Sequence, residues 1–79
     1  MPKKANRNRD VTVTVSRSTF VRQLRRLADR LEAGSRFHIL VGKERISIPP
    51  GSKLSIEHER EGPAEELELQ IRWTTRQHR

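Results

Sequence analysis

Four arginines, Arg22, Arg25, Arg26 and Arg30, recur at the three- and four-residue spacing that stacks side chains along one side of a helix, relieved only by Asp29 and Glu32. Ahead of them, Lys3, Lys4, Arg7 and Arg9 lie among Ala, Asn and Pro at the start of the chain. The chemistry this invites is the binding of anions. A guanidinium is planar, always charged, and presents paired donors that match phosphate oxygens. Arginine is also a good helix former, so a solvated face would accept it. A face with only that purpose would mix lysine with glutamate. Contact through these residues would be chiefly with phosphate backbone, weakly selective for sequence and strongly weakened by salt.

No other grouping supports a reaction. His38, His58 and His78 are too dispersed for a ligand set, and His58 falls on the inward parity of its strand, where a satisfied or rim histidine is the simpler reading. Gly42-Lys43 lacks the upstream glycine of a phosphate loop, and Glu44 stands where Ser or Thr is required. Glu57, Glu59, Glu66 and Glu68 could pair as acid and base, but a flat exposed face has no burial to separate their proton affinities. No serine sits in a Gly-x-Ser-x-Gly context. The expectation is a protein with no catalytic residues, no cofactor and no metal.

The totals set the frame for these residues. Seventy-nine residues make one small domain with a modest core. Hydrophobic residues are 32% and charged residues 34% of the chain, near the border of what can offset the entropy of ordering. With 0 cysteines, disulfides and thiolate metal sites are excluded, and a reducing compartment such as the cytoplasm fits. No apolar run approaches the roughly 20 residues needed to cross a bilayer, and no apolar signal core follows Lys3-Lys4, so a soluble cytoplasmic protein is expected. The net charge of +7 is not evenly spread: residues 1–30 carry the whole excess, and residues 31–79 balance to zero. That asymmetry suits an acidic partner such as nucleic acid.

Residues 1–10 have no apolar period and read as a flexible basic arm. Val11-Thr12-Val13-Thr14-Val15 alternates and is β-branched throughout, which predicts a short strand. Ser16 or Ser18 is the N-cap candidate for a helix running from about Thr19 to Ala33, with Phe20, Leu24, Leu27 and Leu31 on its apolar side and Gly34 as its stop. Arg36–Val41 and Glu44–Ile48 form a hairpin around Gly42-Lys43, pairing Val41 with Glu44, Ile39 with Ile46 and Phe37 with Ile48. Pro49-Pro50-Gly51 breaks the chain before a strand over Lys53–Arg60. Gly62-Pro63 then turns it into Leu67-Glu68-Leu69-Gln70-Ile71-Arg72-Trp73, where apolar and polar residues alternate strictly. Two registers suit this last hairpin: one sets Glu59 against Glu68, the other Glu57 against Arg72. Residues 74–79 are a polar basic tail. The expected fold is α+β in the order β-α-β-β-β-β, one helix on one face of a small antiparallel sheet over residues 11–73. Trp73, Phe20 and Phe37 are then core, with Trp73, Leu69 and Leu27 sharing one interior. Without tyrosine, the sheet lacks the stacking platforms of RNA-binding sheets.

The run Leu24-Arg25-Arg26-Leu27-Ala28-Asp29-Arg30-Leu31-Glu32-Ala33-Gly34 and the closing Glu66-Leu67-Glu68-Leu69-Gln70-Ile71-Arg72-Trp73 resemble the amphi-Trp domain, a family named for an amphipathic last strand ending in tryptophan. Ile46-Ser47-Ile48-Pro49-Pro50 and Leu54-Ser55-Ile56-Glu57-His58-Glu59-Arg60 follow the same order, so the resemblance covers roughly residues 11–73. It implies a small α+β domain with no established activity and carries over no functional residue. The charge pattern therefore leads. The functional expectation is a non-enzymatic accessory domain contacting nucleic acid backbone or another polyanion through Lys3, Lys4, Arg7, Arg9, Arg22, Arg25, Arg26 and Arg30. The alternative is a protein-interaction or homo-oligomeric assembly module using an exposed sheet edge.

Overall fold

A computed structural model describes residues 8–75. Its elements are one helix, α1 (Arg17–Ala33), followed by four strands, β1 (Phe37–Val41), β2 (Glu44–Ile48), β3 (Lys53–Glu61) and β4 (Ala64–Arg72). The strands form two antiparallel ladders, β1–β2 and β3–β4. The α+β class and the helix-then-strands order agree with the sequence pattern.

Both ends of α1 are where local chemistry puts them. Ser16 has extended backbone, and its hydroxyl accepts from the Thr19 N–H at 3.2 Å, satisfying a donor the first turn leaves free. At the other end, Gly34 takes the left-handed conformation (φ 78°) and donates to the carbonyls of Arg30 and Leu31. A side chain there would be strained, which is why glycine ends the helix.

The β1–β2 ladder has the register expected, with Phe37 opposite Ile48, Ile39 opposite Ile46 and Val41 opposite Glu44. The two-residue turn and the demand that large apolar residues share one side point to the same pairing. Phe37 and Ile48, 6% and 2% exposed, are the buried hydrophobic residues among those described.

The β3–β4 ladder takes neither of the two registers left open by the sequence. Glu57 lies opposite Glu68, and Glu59 opposite Glu66. The turn decides this. With Gly62 at φ 60° and Pro63 as its two central residues, Glu61 must face Ala64, and every later pair follows. Cross-strand repulsion between exposed carboxylates is a few tenths of a kcal/mol to about 1 kcal/mol, too little to unmake a tight turn. Gln70 bridges the first pair, its amide donating to Glu57 at 3.1 Å and to Glu68 at 3.0 Å.

Three features depart from the expected architecture. Among the described residues Val11–Val15 has no ladder partner, and Val11, Val13 and Val15 are 42–49% exposed. β-branched alternation describes a segment suited to a half-buried sheet surface, and the segment needs that surface to become a strand. The four strands do not join into one sheet; Pro49-Pro50 separates the β1–β2 ladder from the β3–β4 ladder. Finally, α1 has no buried residue: Leu27 and Leu31 are half-buried, while Phe20 and Leu24 are exposed. Trp73 is 36% and Leu69 58% exposed, so they do not share an interior with Leu27.

The consequence is energetic. On β3–β4, Leu54, Ile56, Leu67 and Leu69 share one side of the ladder and are 57%, 75%, 67% and 58% exposed. Fully burying such a side chain is worth about 1.5–3 kcal/mol, so this side forgoes about 4–8 kcal/mol. That is comparable with the whole net stability of a typical domain.

Candidate polyanion-binding surface

At 100° per residue, Arg22, Arg26 and Arg30 run along one line of α1, with Arg25 beside it. Phe20, Leu24, Leu27 and Leu31 occupy the opposite side. All four arginines are exposed. Among the described residues none of them has a carboxylate within ion-pair distance; the ion pairs there are Arg9–Glu44, His58–Glu65 and Arg60–Glu65. The nearest anchoring contact is long, Arg22 donating to the Thr19 hydroxyl at 3.4 Å. Like charges four residues apart on a helix destabilise it by about 0.2–0.5 kcal/mol per pair. The line of arginines thus weakens the isolated helix slightly, and an anion lying along it would relieve that cost.

One participant was missed in the sequence. Arg17 joins Ser18, Val21, Arg22 and Arg25 in lining an open concavity of about 500 Å³ on the first half of α1. The signal was present in the sequence as a basic residue directly after the N-cap, off the four-residue repeat. The first turn carries no acidic residue, so the positive end of the helix dipole adds to the same potential.

Arg9 is placed differently from its expected role in a free arm. Its Nη2 donates to the Val41 carbonyl at 2.8 Å and its Nε pairs with Glu44 at 2.9 Å. Arg9 and Val11 both reach within 3.5 Å of the site a Gly42 side chain would take, so they lie against the β1–β2 turn. Lys3, Lys4 and Arg7 fall outside the described residues, as do His78 and the end of the basic tail.

The opposite charge gathers elsewhere. Glu57, Glu59, Glu61, Glu66 and Glu68 share the polar side of β3–β4, a face that repels phosphate. His58, on the apolar side, is half-exposed, with Nε2 2.9 Å from the Glu65 carboxylate, which Arg60 also approaches at 3.4 Å. Among the described residues no three or more His, Asp or Glu side chains gather as a metal site would need. No described helix is long and apolar enough to cross a membrane.

A model of the Amphi-Trp domain matches residues 3–79. No curated protein and no solved structure matches the chain.

Proposed function

We propose that this chain, which belongs to the Amphi-Trp domain family, is a non-enzymatic accessory domain that contacts nucleic acid backbone or another polyanion along α1. The observation that carries the reading is the line of Arg22, Arg26 and Arg30, flanked by Arg25, exposed and without a carboxylate partner among the described residues. Arg17 extends the surface towards the helix N-terminus. Lys3, Lys4 and Arg7 would add to it from the arm, whereas Arg9 acts first as a clamp on the β1–β2 turn.

The test is a salt titration of binding to duplex DNA and to single-stranded RNA. Binding at low salt that fades steeply as salt rises supports the reading, and a chain reversed at Arg22, Arg26 and Arg30 to glutamate should lose it. Absence of binding at about 50 mM salt, where phosphate contacts are strong, would overturn it.

A second reading, a protein-interaction or assembly module, is supported by the uncovered apolar side of β3–β4 and by the free edges that two-stranded ladders leave. Both roles can coexist, since one uses the arginine line of α1 and the other the apolar side and edges of the ladders.

A further inference from the structure

One acid stands inside the basic surface of α1. Counted around the helix from Arg25, Asp29 lies at about 40°, Arg22 at about 60°, Arg26 at about 100° and Arg30 at about 140°. Asp29 is therefore flanked by arginines on both sides of the circumference, and it is exposed. Helix stability does not account for it. Aspartate is among the poorer helix formers. Arg25 and Arg26 both precede it in the chain, the less favourable order for an ion pair along a helix. Among the described residues Asp29 has no cation within ion-pair distance.

A carboxylate at this place opposes a surface that only grips phosphates, since it repels what the arginines attract. It suits a surface that also meets hydrogen-bond donors. The major groove of duplex DNA offers both: phosphates along its two rims and, on its floor, the cytosine N4 amino group, which donates to carboxylates. Phosphate contacts position a protein there, and base-edge contacts select the sequence.

The shape of α1 agrees. An arc of about 140° is wide for one backbone strand and matches a helix lying between two. α1 has 17 residues and none buried, which makes it a rod about 25 Å long and 10–12 Å across. Leu27 and Leu31, half-buried, lie on the side away from the arc. The major groove of B-DNA, about 12 Å wide, admits such a rod. That of duplex RNA is deep and too narrow for side chains to read. Ala33, one turn beyond Asp29 and inside the same arc, is small and exposed, so the short aspartate can approach the floor.

We propose that α1 lies in the major groove of duplex DNA, with Arg22, Arg25, Arg26 and Arg30 on the phosphates of its rims and Asp29 accepting a hydrogen bond from a cytosine N4 on its floor. This rests on the polyanion reading and names the partner and the base it selects.

The test is binding of the full chain, at about 50 mM salt, to labelled duplexes of equal length: DNA of G·C pairs, the same DNA with N4-methylcytosine for cytosine, DNA of A·T pairs, and RNA of G·C pairs. The unmodified G·C DNA should bind about 5-fold or more tighter than each of the others. Asp29→Asn should turn the preference towards A·T DNA, because an amide side chain pairs with adenine N6 and N7. Glu32→Gln, which removes the same charge outside the arc, should tighten binding to every duplex alike. An Asp29→Asn chain that behaves as Glu32→Gln does overturns base selection, Asp29 then being only a repelling charge. Equal binding of the DNA and RNA duplexes overturns groove entry. The polyanion reading survives both results, whereas a chain that binds none of the duplexes overturns that reading as well.

Discussion

The salt dependence of polyanion binding can be worked out from the helix and then altered one charge at a time. Arg22 and Arg30 are eight residues apart within α1, which places them about 12 Å apart along the axis, within reach of several consecutive phosphates. If Arg22, Arg25, Arg26 and Arg30 each neutralise one phosphate of duplex DNA, the logarithm of affinity should fall against the logarithm of salt with a slope of about −3.6. Raising salt from 50 to 200 mM should then weaken binding about 150-fold. Single strands release fewer counterions, so RNA should lose about 50-fold over the same interval. The perturbation is Arg26→Gln, which removes one charge from the middle of the line and keeps a good helix former of similar length. The slope on duplex DNA should become about −2.7 and the salt effect about 40-fold. Fluorescence anisotropy with a labelled duplex reads both. Lys43→Gln, on the β1–β2 turn, serves as the control and should leave the slope unchanged. An Arg26→Gln slope equal to the native one would refute α1 as the contact surface, and equal losses for Arg26→Gln and Lys43→Gln would reduce the effect to net charge.

Other outcomes follow from the packing. Ile48→Ala should cost about 2–5 kcal/mol in urea denaturation because Ile48 is 2% exposed. Leu40→Ala, at 64% exposure on the neighbouring strand, should stay within about 0.5 kcal/mol; equal losses at both sites would mean the hairpin is not packed as described. Ser16→Ala removes the acceptor for the Thr19 N–H and should lower stability by about 1 kcal/mol, with reduced helical circular dichroism at intermediate denaturant. Glu68→Lys turns the Glu57–Glu68 pair into one of opposite charge and should stabilise by about 0.5 kcal/mol at low salt, fading as salt is added. A destabilised Glu68→Lys chain would contradict the register.

Local chemistry was legible from the sequence. Ser16 and Gly34 bound the helix because an oxygen acceptor and a residue free to take positive φ were available at those positions. The β1–β2 register could be read because turn length and apolar parity agree on one answer. The line of arginines was visible because helical spacing depends only on the sequence once the helix is granted. Arg17 was harder to see, since it sits off the four-residue repeat and joins the surface through the concavity it shares with Arg22 and Arg25.

What neighbours what was decided in three dimensions. Val11–Val15 has the composition of a strand, but a strand exists only where another offers its donors and acceptors, and none does so among the described residues. The β3–β4 register matched neither pairing left open by the sequence, because a two-residue turn restrains the backbone more strongly than exposed carboxylates repel each other. Leu24 and Leu69 belong to apolar faces that the sequence marks correctly, yet marking a face does not say which surface covers it. Hydrophobic attraction has no direction, so periodicity in the chain marks which faces favour burial, while tertiary geometry decides which of them are covered.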